Sequence, residues 1–411
     1  MRLKEYLPAA AAVGAIWVLL AALGYWNPGT AAAVAFTAAA LMLWRERTAA
    51  PLRRWRMLTA SAADAQLLGF YCVAESRARE ALTVAGRIRK NQDACRAEAA
   101  LLLAASLNAQ KRFGEAEKVL AASPRQGARI WAQLAHALAG QSKLGEAETA
   151  VTRAEAEAGE TPGDPEQAAI LDAWANIRSR QGRMKEALEC LSEWVKVLER
   201  SLDERMRESA WAARIKLGAA YTRARKAGQA SYLLEDCARR LTSRKGYLYD
   251  ATEALSHLCH AFAQQGRVDE AIEAGRKAAA LRATLLAPDD PLHGQVWIHM
   301  AIACAEGRRA EEAIRYLRKV EPLRDRLSEH EQAMFNYARG LAYECVGDDR
   351  TAESIYRETL AEVARLHGSS HPVVVDSLMA LSRVLRRGGR ETEAAELEGM
   401  QEKIEEGIGH A

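Results

Sequence analysis

LCHAFAQQGRVDEAIEAG, residues 258–275, decides the fold. Cys259 is small, and Ala271, twelve positions on, is small again. Leu258 and Phe262 flank the first, Gly266 marks a break, and Glu270 stands just before the second. A helix, a tight turn and a second helix account for all of these. Two antiparallel helices joined by a short turn approach closely only where side chains are small. Gly266 suits the turn. Glu270 falls near a helix N-terminus, where the macrodipole favours an acid.

The pattern recurs nine times, with the second small residues 35, 31, 40, 43, 41, 42, 39 and 42 apart. The pairs are Gly69 with Ala81, Ala104 with Ala116, Ala135 with Ala147, Ala175 with Ala187 and Gly218 with Ala230. They continue with Cys259 and Ala271, Ala301 and Ala313, Gly340 and Ala352, and Ser382 and Ala394. Glu precedes the second member in seven of the nine. Gly182, Gly266, Gly347 and Gly389 mark the turns. A period of this length with helical patterning is the mark of a helix-pair solenoid. Ala, Leu, Glu and Arg dominate and strand-like alternation is sparse, which predicts an all-α chain.

The units WANIRSRQGRMKEALECL (174–191), LGAAYTRARKAGQASYLL (217–234), LCHAFAQQGRVDEAIEAG and LSRVLRRGGRETEAAELE (381–398) resemble the tetratricopeptide repeat family. The longer later units, with LHGSSHPVVVDSLMALSRVLRRGGRETEAAEL (366–397), look like its kinesin light chain subtype. The resemblance implies a right-handed solenoid of about nine helix pairs over residues 65–404, with a tail at 405–411. It also implies a concave face, lined by the first helix of each unit, that binds a protein or peptide. The family is defined by packing residues, so it names no ligand. Arg178 interrupts the apolar pattern of the fourth unit.

No charge occurs between Tyr6 and Trp44, a stretch of 39 residues broken by Asn27-Pro28-Gly29-Thr30. This predicts a two-helix transmembrane hairpin in residues 1–47, with spans at 7–26 and 30–44. Tyr6, Tyr25, Trp26 and Trp44 fall at the interfaces. Arg2 and Lys4 before it, and Arg45, Arg47, Arg53, Arg54 and Arg56 after it, place both ends in the cytoplasm. Residues 48–64 then form a basic juxtamembrane linker, and the composition suggests a bacterial inner membrane. A cleaved signal peptide and an Ala-rich soluble first repeat are the competing readings.

The net charge is +3, and the first 60 residues carry seven Lys and Arg against two Glu. The rest is nearly neutral, so it lacks the basic footprint of a nucleic-acid binder. Seven cysteines without a CxxC pair read as buried free thiols in a reducing compartment.

His257, Cys259 and His260 invite a metal reading. Cys259 points into its helix pair, however, and no third ligand is anchored nearby, so the cluster reads as structural. His367 and His371, like Asp289, Asp290 and His293, read as helix-start signals. No phosphate loop, nucleophile elbow or dinucleotide fingerprint occurs. No cofactor, metal or catalytic residue is expected, and the chain is not expected to be an enzyme.

The groove is the candidate site. The side of each first helix away from its small residue presents Asp172, Asn176 and Arg180, then Ile215 and Arg223, then Ser256, His260 and Gln264. It goes on with Ile298 and Ile302, Tyr337 and Leu341, and Met379, Arg383 and Arg387. Such a surface mixes apolar anchors with guanidinium forks. The Lys/Asn clamp of the family's chaperone-tail receptors is not present as a set. Arg383, Arg386, Arg387 and Arg390 accept an acidic partner or balance Glu391, Glu393, Glu396 and Glu398. The sequence therefore predicts a membrane-anchored adaptor that holds a protein or peptide at the cytoplasmic face. A self-assembling scaffold of identical chains is the first alternative, and an enzyme with an unrecognised site the second.

Overall fold

The computed structural model describes residues 28–88, 91–124, 127–244, 246–367 and 372–410. They form eighteen α-helices and one 3-10 helix, Glu321–Arg326. The first units pair α1 (Pro28–Leu67) with α2 (Tyr71–Ala85), α3 (Gln92–Ala109) with α4 (Phe113–Ala121), and α5 (Ala128–Gly140) with α6 (Leu144–Ala158). Next come α7 (Asp164–Arg180) with α8 (Met184–Arg200), α9 (Glu204–Arg223) with α10 (Ala227–Thr242), and α11 (Leu248–Gln264) with α12 (Val268–Leu285). The last are α13 (Leu292–Glu306) with α14 (Ala310–Val320), α15 (Glu329–Cys345) with α16 (Asp349–His367), and α17 (Pro372–Arg387) with α18 (Glu391–His410). Each helix packs on the next, and α9, α11 and α13 also touch in series. This is an all-α solenoid.

Small residues set the contact distance. Ala187, Ala271 and Ala313 are fully buried, as are Ala135, Ala147 and Cys259. A Cβ added at Gly218 would meet Leu234 at 2.6 Å, and one at Gly340 would meet the Tyr356 ring at 2.3 Å. The larger residue four places after the second small one thus fills the gap over the small residue of the first helix. Arg178 is no defect in this scheme. Its guanidinium lies 4.4 Å from the Trp174 ring centre and pairs with Glu148 at 2.8 Å and Glu186 at 3.2 Å.

The seventh residue after each small one takes a left-handed conformation. Gly182, Gly266, Gly347 and Gly389 do so, and so do the non-glycines Lys111, Ser142, Arg225 and Arg308. A left-handed backbone closes a helix and turns the chain sharply. The same rule corrects the register of the first unit. Gly69, with φ +77, is the turn residue between α1 and α2 and not a mid-helix packing residue. The packed pair of that unit is Ala62 with Ala74, both fully buried.

The membrane expectation is overturned. Among the described residues, no helix is long and apolar enough to cross a membrane. The first proposed span, residues 7–26, lies outside the described residues. The second, residues 30–44, is the opening of α1, which continues without a break through Arg45 and on to Leu67. Its fifteen uncharged residues extend about 22 Å, short of the roughly 30 Å of a hydrocarbon core. Residues 48–64 are no linker: Leu58 and Ala62 of α1 are buried in the first unit. The two-span location, with the solenoid on the cytoplasmic side of an inner membrane, is withdrawn with the hairpin.

The solenoid curls until distant units meet. Tyr71 packs edge-on against Tyr249 with ring centres 5.8 Å apart. Gly69 lies under that ring, where a Cβ would sit 2.5 Å from Tyr249. Arg205 pairs with Asp64 at 3.0 Å, and α18 touches α8. The first helices of the units face the interior thus enclosed.

Candidate functional site

Two positions on each of the inner helices α7, α9, α11, α13 and α15 line that interior: the residue after the small one, and the residue four places further on. One helical turn separates them, so they share a face. They give Asn176 and Arg180 on α7, Ala219 and Arg223 on α9, and His260 and Gln264 on α11. Ile302 and Glu306 on α13, and Leu341 and Cys345 on α15, continue the two rows. The chamber holds about 1060 Å³, and a second hollow of about 380 Å³ shares His260, Gln264 and Asp376 with it.

Six of the expected groove residues, Asn176, Arg180, Arg223, His260, Gln264 and Ile298, meet in the chamber. Tyr337 and Arg383 line the second hollow. Asp172 and Arg387 do not join them. Asp172 accepts a 2.9 Å bond from Lys216 Nζ, and Arg387 is spent on Glu344 at 3.0 Å and Asp349 at 2.7 Å. Arg383 also bonds Glu344, at 3.2 Å. Arg386 reaches Glu398 at 2.7 Å and Arg390 reaches Glu353 at 2.6 Å, so this arginine cluster is balanced internally.

The polar atoms of the chamber are incompletely satisfied. Asn176 Nδ2, Arg223 Nε and Gln264 Oε1 are sealed from solvent and bond nothing among the described residues. Buried polar atoms normally find partners. Here two donors and one acceptor, on three consecutive inner helices, do not. Arg223 is half-buried and has no ion pair among the described residues. Burial, and then the like charge of Arg180, pull its pKa down to about 10. Arg180 is also lowered by burial, which Glu329 partly offsets, and its Nε donates to Asn176 Oδ1 at 3.3 Å.

Three histidines stand beside the arginines. The rings of His260 and His299 stack at 4.9 Å, and His257 lies 5.7 Å from His299. His299 Nδ1 donates to the Ser256 carbonyl at 2.8 Å, which fixes the proton on Nδ1 and leaves Nε2 an acceptor. Burial drives all three below the ordinary histidine range, His299 to about 4, so they are neutral near pH 7. Among the described residues no group of three or more His, Cys, Asp or Glu is placed to hold a metal ion. All seven cysteines are free, and Cys72 is exposed at the chamber rather than buried.

Several chamber residues escaped sequence reading. Glu306 occupies the same register as Arg180, Arg223 and Gln264, so the repeat could have found it. His299 matches His257 in register, two places before the small residue, and could also have been found. Tyr71, Tyr249, Lys111, Glu331 and Asp376 enter the interior only through closure of the solenoid, which no local pattern records. Asp290, in the turn before α13, accepts from Leu292 N at 2.9 Å, and His293 Nε2 lies 3.0 Å from the Ala287 carbonyl. His371 lies outside the described residues.

Residues 250–326 match the tetratricopeptide repeat family. That stretch carries tetratricopeptide repeats. No curated protein sequence matches the chain. Among solved structures, the chain is similar to a Rap protein complexed with competence and sporulation factor, with 12% identity and a TM-score of 0.63. That likeness covers 89% of this chain and 99% of the other. The apo form of the quorum sensor NprR from B. thuringiensis is 12% identical with a TM-score of 0.55, over 85% and 98% of the two chains. The Rap conjugation gene regulator of plasmid pLS20, in complex with the Phr* peptide, is also 12% identical with a TM-score of 0.55, over 85% and 96%. At these identities the likeness shows the fold.

Proposed function

We propose that the chain is a peptide receptor whose closed tetratricopeptide solenoid takes an extended peptide along its interior. One observation carries the reading. Asn176 Nδ2, Arg223 Nε and Gln264 Oε1 are shielded and unpaired, and they sit on successive inner helices around one chamber. A peptide backbone offers alternating carbonyls and N–H groups, and amide and guanidinium side chains along the chamber wall are the groups that pair with them. A volume of about 1060 Å³ stands at the top of the range for ligand sites. The fold-level likeness to the pLS20 regulator, which holds a peptide, agrees with this. Unit spacings of 39 to 43 residues over the later repeats support the kinesin light chain-like reading of the repeat type. We place binding ahead of self-assembly and of catalysis, because the unsatisfied groups face inward and no nucleophile is paired with a base among them.

The test is equilibrium dialysis of the full chain against a random hexapeptide library, with the retained fraction sequenced by mass spectrometry. A retained set narrower than the input is the expected result. A retained set identical in composition to the input overturns the reading.

A further inference from the structure

Arg180 and Arg223 face the chamber without an ion pair among the described residues. Arginines two places away on the same helices show the contrast. Arg178 pairs with Glu148 at 2.8 Å and Glu186 at 3.2 Å, and Arg225 pairs with Asp376. Arg223 Nε is shielded from solvent and bonds nothing, and the rest of that guanidinium makes no hydrogen bond among the described residues. Arg180 uses only its Nε, which donates to Asn176 Oδ1 at 3.3 Å. That bond orients the Asn176 amide, because a flipped amide would set donor against donor. It leaves Asn176 Nδ2 as a second shielded donor without an acceptor. Burial, and then the like charge of Arg180, act against the charge on Arg223, and no carboxylate offsets them. Glu329, at the head of α15, acts on Arg180 without bonding it.

A guanidinium held away from water is costly unless an anion meets it. The unused donors here form one cluster, two guanidiniums and an amide on adjacent inner helices, and it lacks acceptors. A carboxylate is planar, has two oxygens and is matched by a single guanidinium fork. Two forks on separate helices, with an amide beside them, call for more oxygens and more charge. A phosphoryl group supplies three terminal oxygens in a tetrahedral array and a charge of about −1.5 to −2 at neutral pH.

We propose that Arg180, Arg223 and Asn176 form a seat for a phosphoryl dianion, with Arg223 donating through Nε and Nη, Arg180 through its Nη atoms and Asn176 through Nδ2. The chamber of about 1060 Å³ is far larger than a phosphate ion, so the seat takes either the free ion or the head of a phosphomonoester. The seat goes beyond the peptide reading and does not depend on it, since Gln264 and the walls of α13 and α15 lie outside it.

The test is calorimetric titration of the full chain in neutral, phosphate-free buffer at constant ionic strength, with inorganic phosphate, methyl phosphate and acetate as probes. A single saturable site is expected for the phosphates, with acetate bound about tenfold or more weakly. Arg180→Gln and Arg223→Gln should each weaken phosphate by about tenfold or more, the loss expected for a charge-assisted bond. Arg239→Gln, at an exposed position of α10, should leave it unchanged. Arg223→Gln should melt at or above the parent temperature, because an unpaired buried charge is removed, so its lost binding is not lost folding. Methyl phosphate bound as tightly as phosphate supports a phosphomonoester, and methyl phosphate bound more weakly supports the free ion. Acetate bound as tightly as phosphate overturns the seat. So does phosphate binding that is unchanged in both arginine variants, or the absence of saturable phosphate binding. The hexapeptide selection needs no phosphate, so the two readings fail separately.

Discussion

Lys111 Nζ lies 2.7 Å from Glu331 Oε2, a bond across 220 residues that joins the turn of the second unit to the head of the eighth. Lys111 reaches it from a left-handed backbone, where glycine would be about 1 kcal/mol easier. Glu331 also accepts from Ser328 N at 2.9 Å in the cap of α15, so the bond ties closure to a helix start.

Reversing this clasp should open the solenoid. Lys111→Glu is expected to raise the radius of gyration measured by small-angle X-ray scattering, and adding Glu331→Lys should restore it. The melting free energy should change by less than about 1 kcal/mol, since Lys111 is 43% exposed. An unchanged radius for the single variant would remove the clasp from the account of closure.

Packing within a unit is tested at Gly340 and Ala271. Gly340→Ala drives a methyl into the Tyr356 ring, and Ala271→Leu overfills a fully buried contact. Each should cost about 1–3 kcal/mol in denaturant unfolding. Glu273→Gln on the exposed surface should stay within about 0.5 kcal/mol. Parent-like melts for both core variants would mean the repeat register is misassigned.

Arg282 is fully buried and ties three helices together. It bonds Glu253 and Thr252 on α11, and the Leu292 carbonyl and Gln295 on α13. Removing Arg282 strands the half-buried Glu253 carboxylate and leaves the Thr252 hydroxyl and the Leu292 carbonyl without this donor, so Arg282→Ala should destabilise by about 3 kcal/mol. Chemical denaturation gives the value; a loss below about 1 kcal/mol would show that Glu253 relaxes to water.

Stability should fall in acid through the chamber histidines. Burial holds His299 at about 4, against an ordinary value of 6.5. Between these values the unfolded chain binds the proton and the folded chain does not, so stability is fully present above pH 6.5 and declines as pH falls toward 4. The contribution is on the order of 3 kcal/mol. His299→Asn should flatten part of the fall in melting temperature across that window. An identical pH profile for variant and parent would place the acid sensitivity elsewhere.

The repeat was legible because its packing is local: a small residue, a turn seven places on and a second small residue twelve places on. The inner rows follow from the same register, which is why Asn176, Arg180, Arg223, His260 and Gln264 could be named together. The first unit was misread because Gly69 satisfies two rules at once, as a small residue and as a turn glycine. The helical reading of 30–44 survives, but its uncharged run is part of a longer helix that joins the first unit. Asp172 and Arg387 keep the groove register yet are consumed by Lys216, and by Glu344 and Asp349. The chamber itself was not legible. Its walls include Tyr71, Tyr249 and Glu331, which meet the inner rows only when units far apart in sequence close on one another.

The central claim is that the interior binds a peptide through its inner rows. The most direct measurement is hexapeptide-library selection by the full chain beside the Asn176→Ala, Gln264→Ala double variant, with a circular dichroism melt for each. The account predicts a narrow retained set for the parent, its loss in the variant, and melting curves that agree. The same set retained by parent and variant would contradict it.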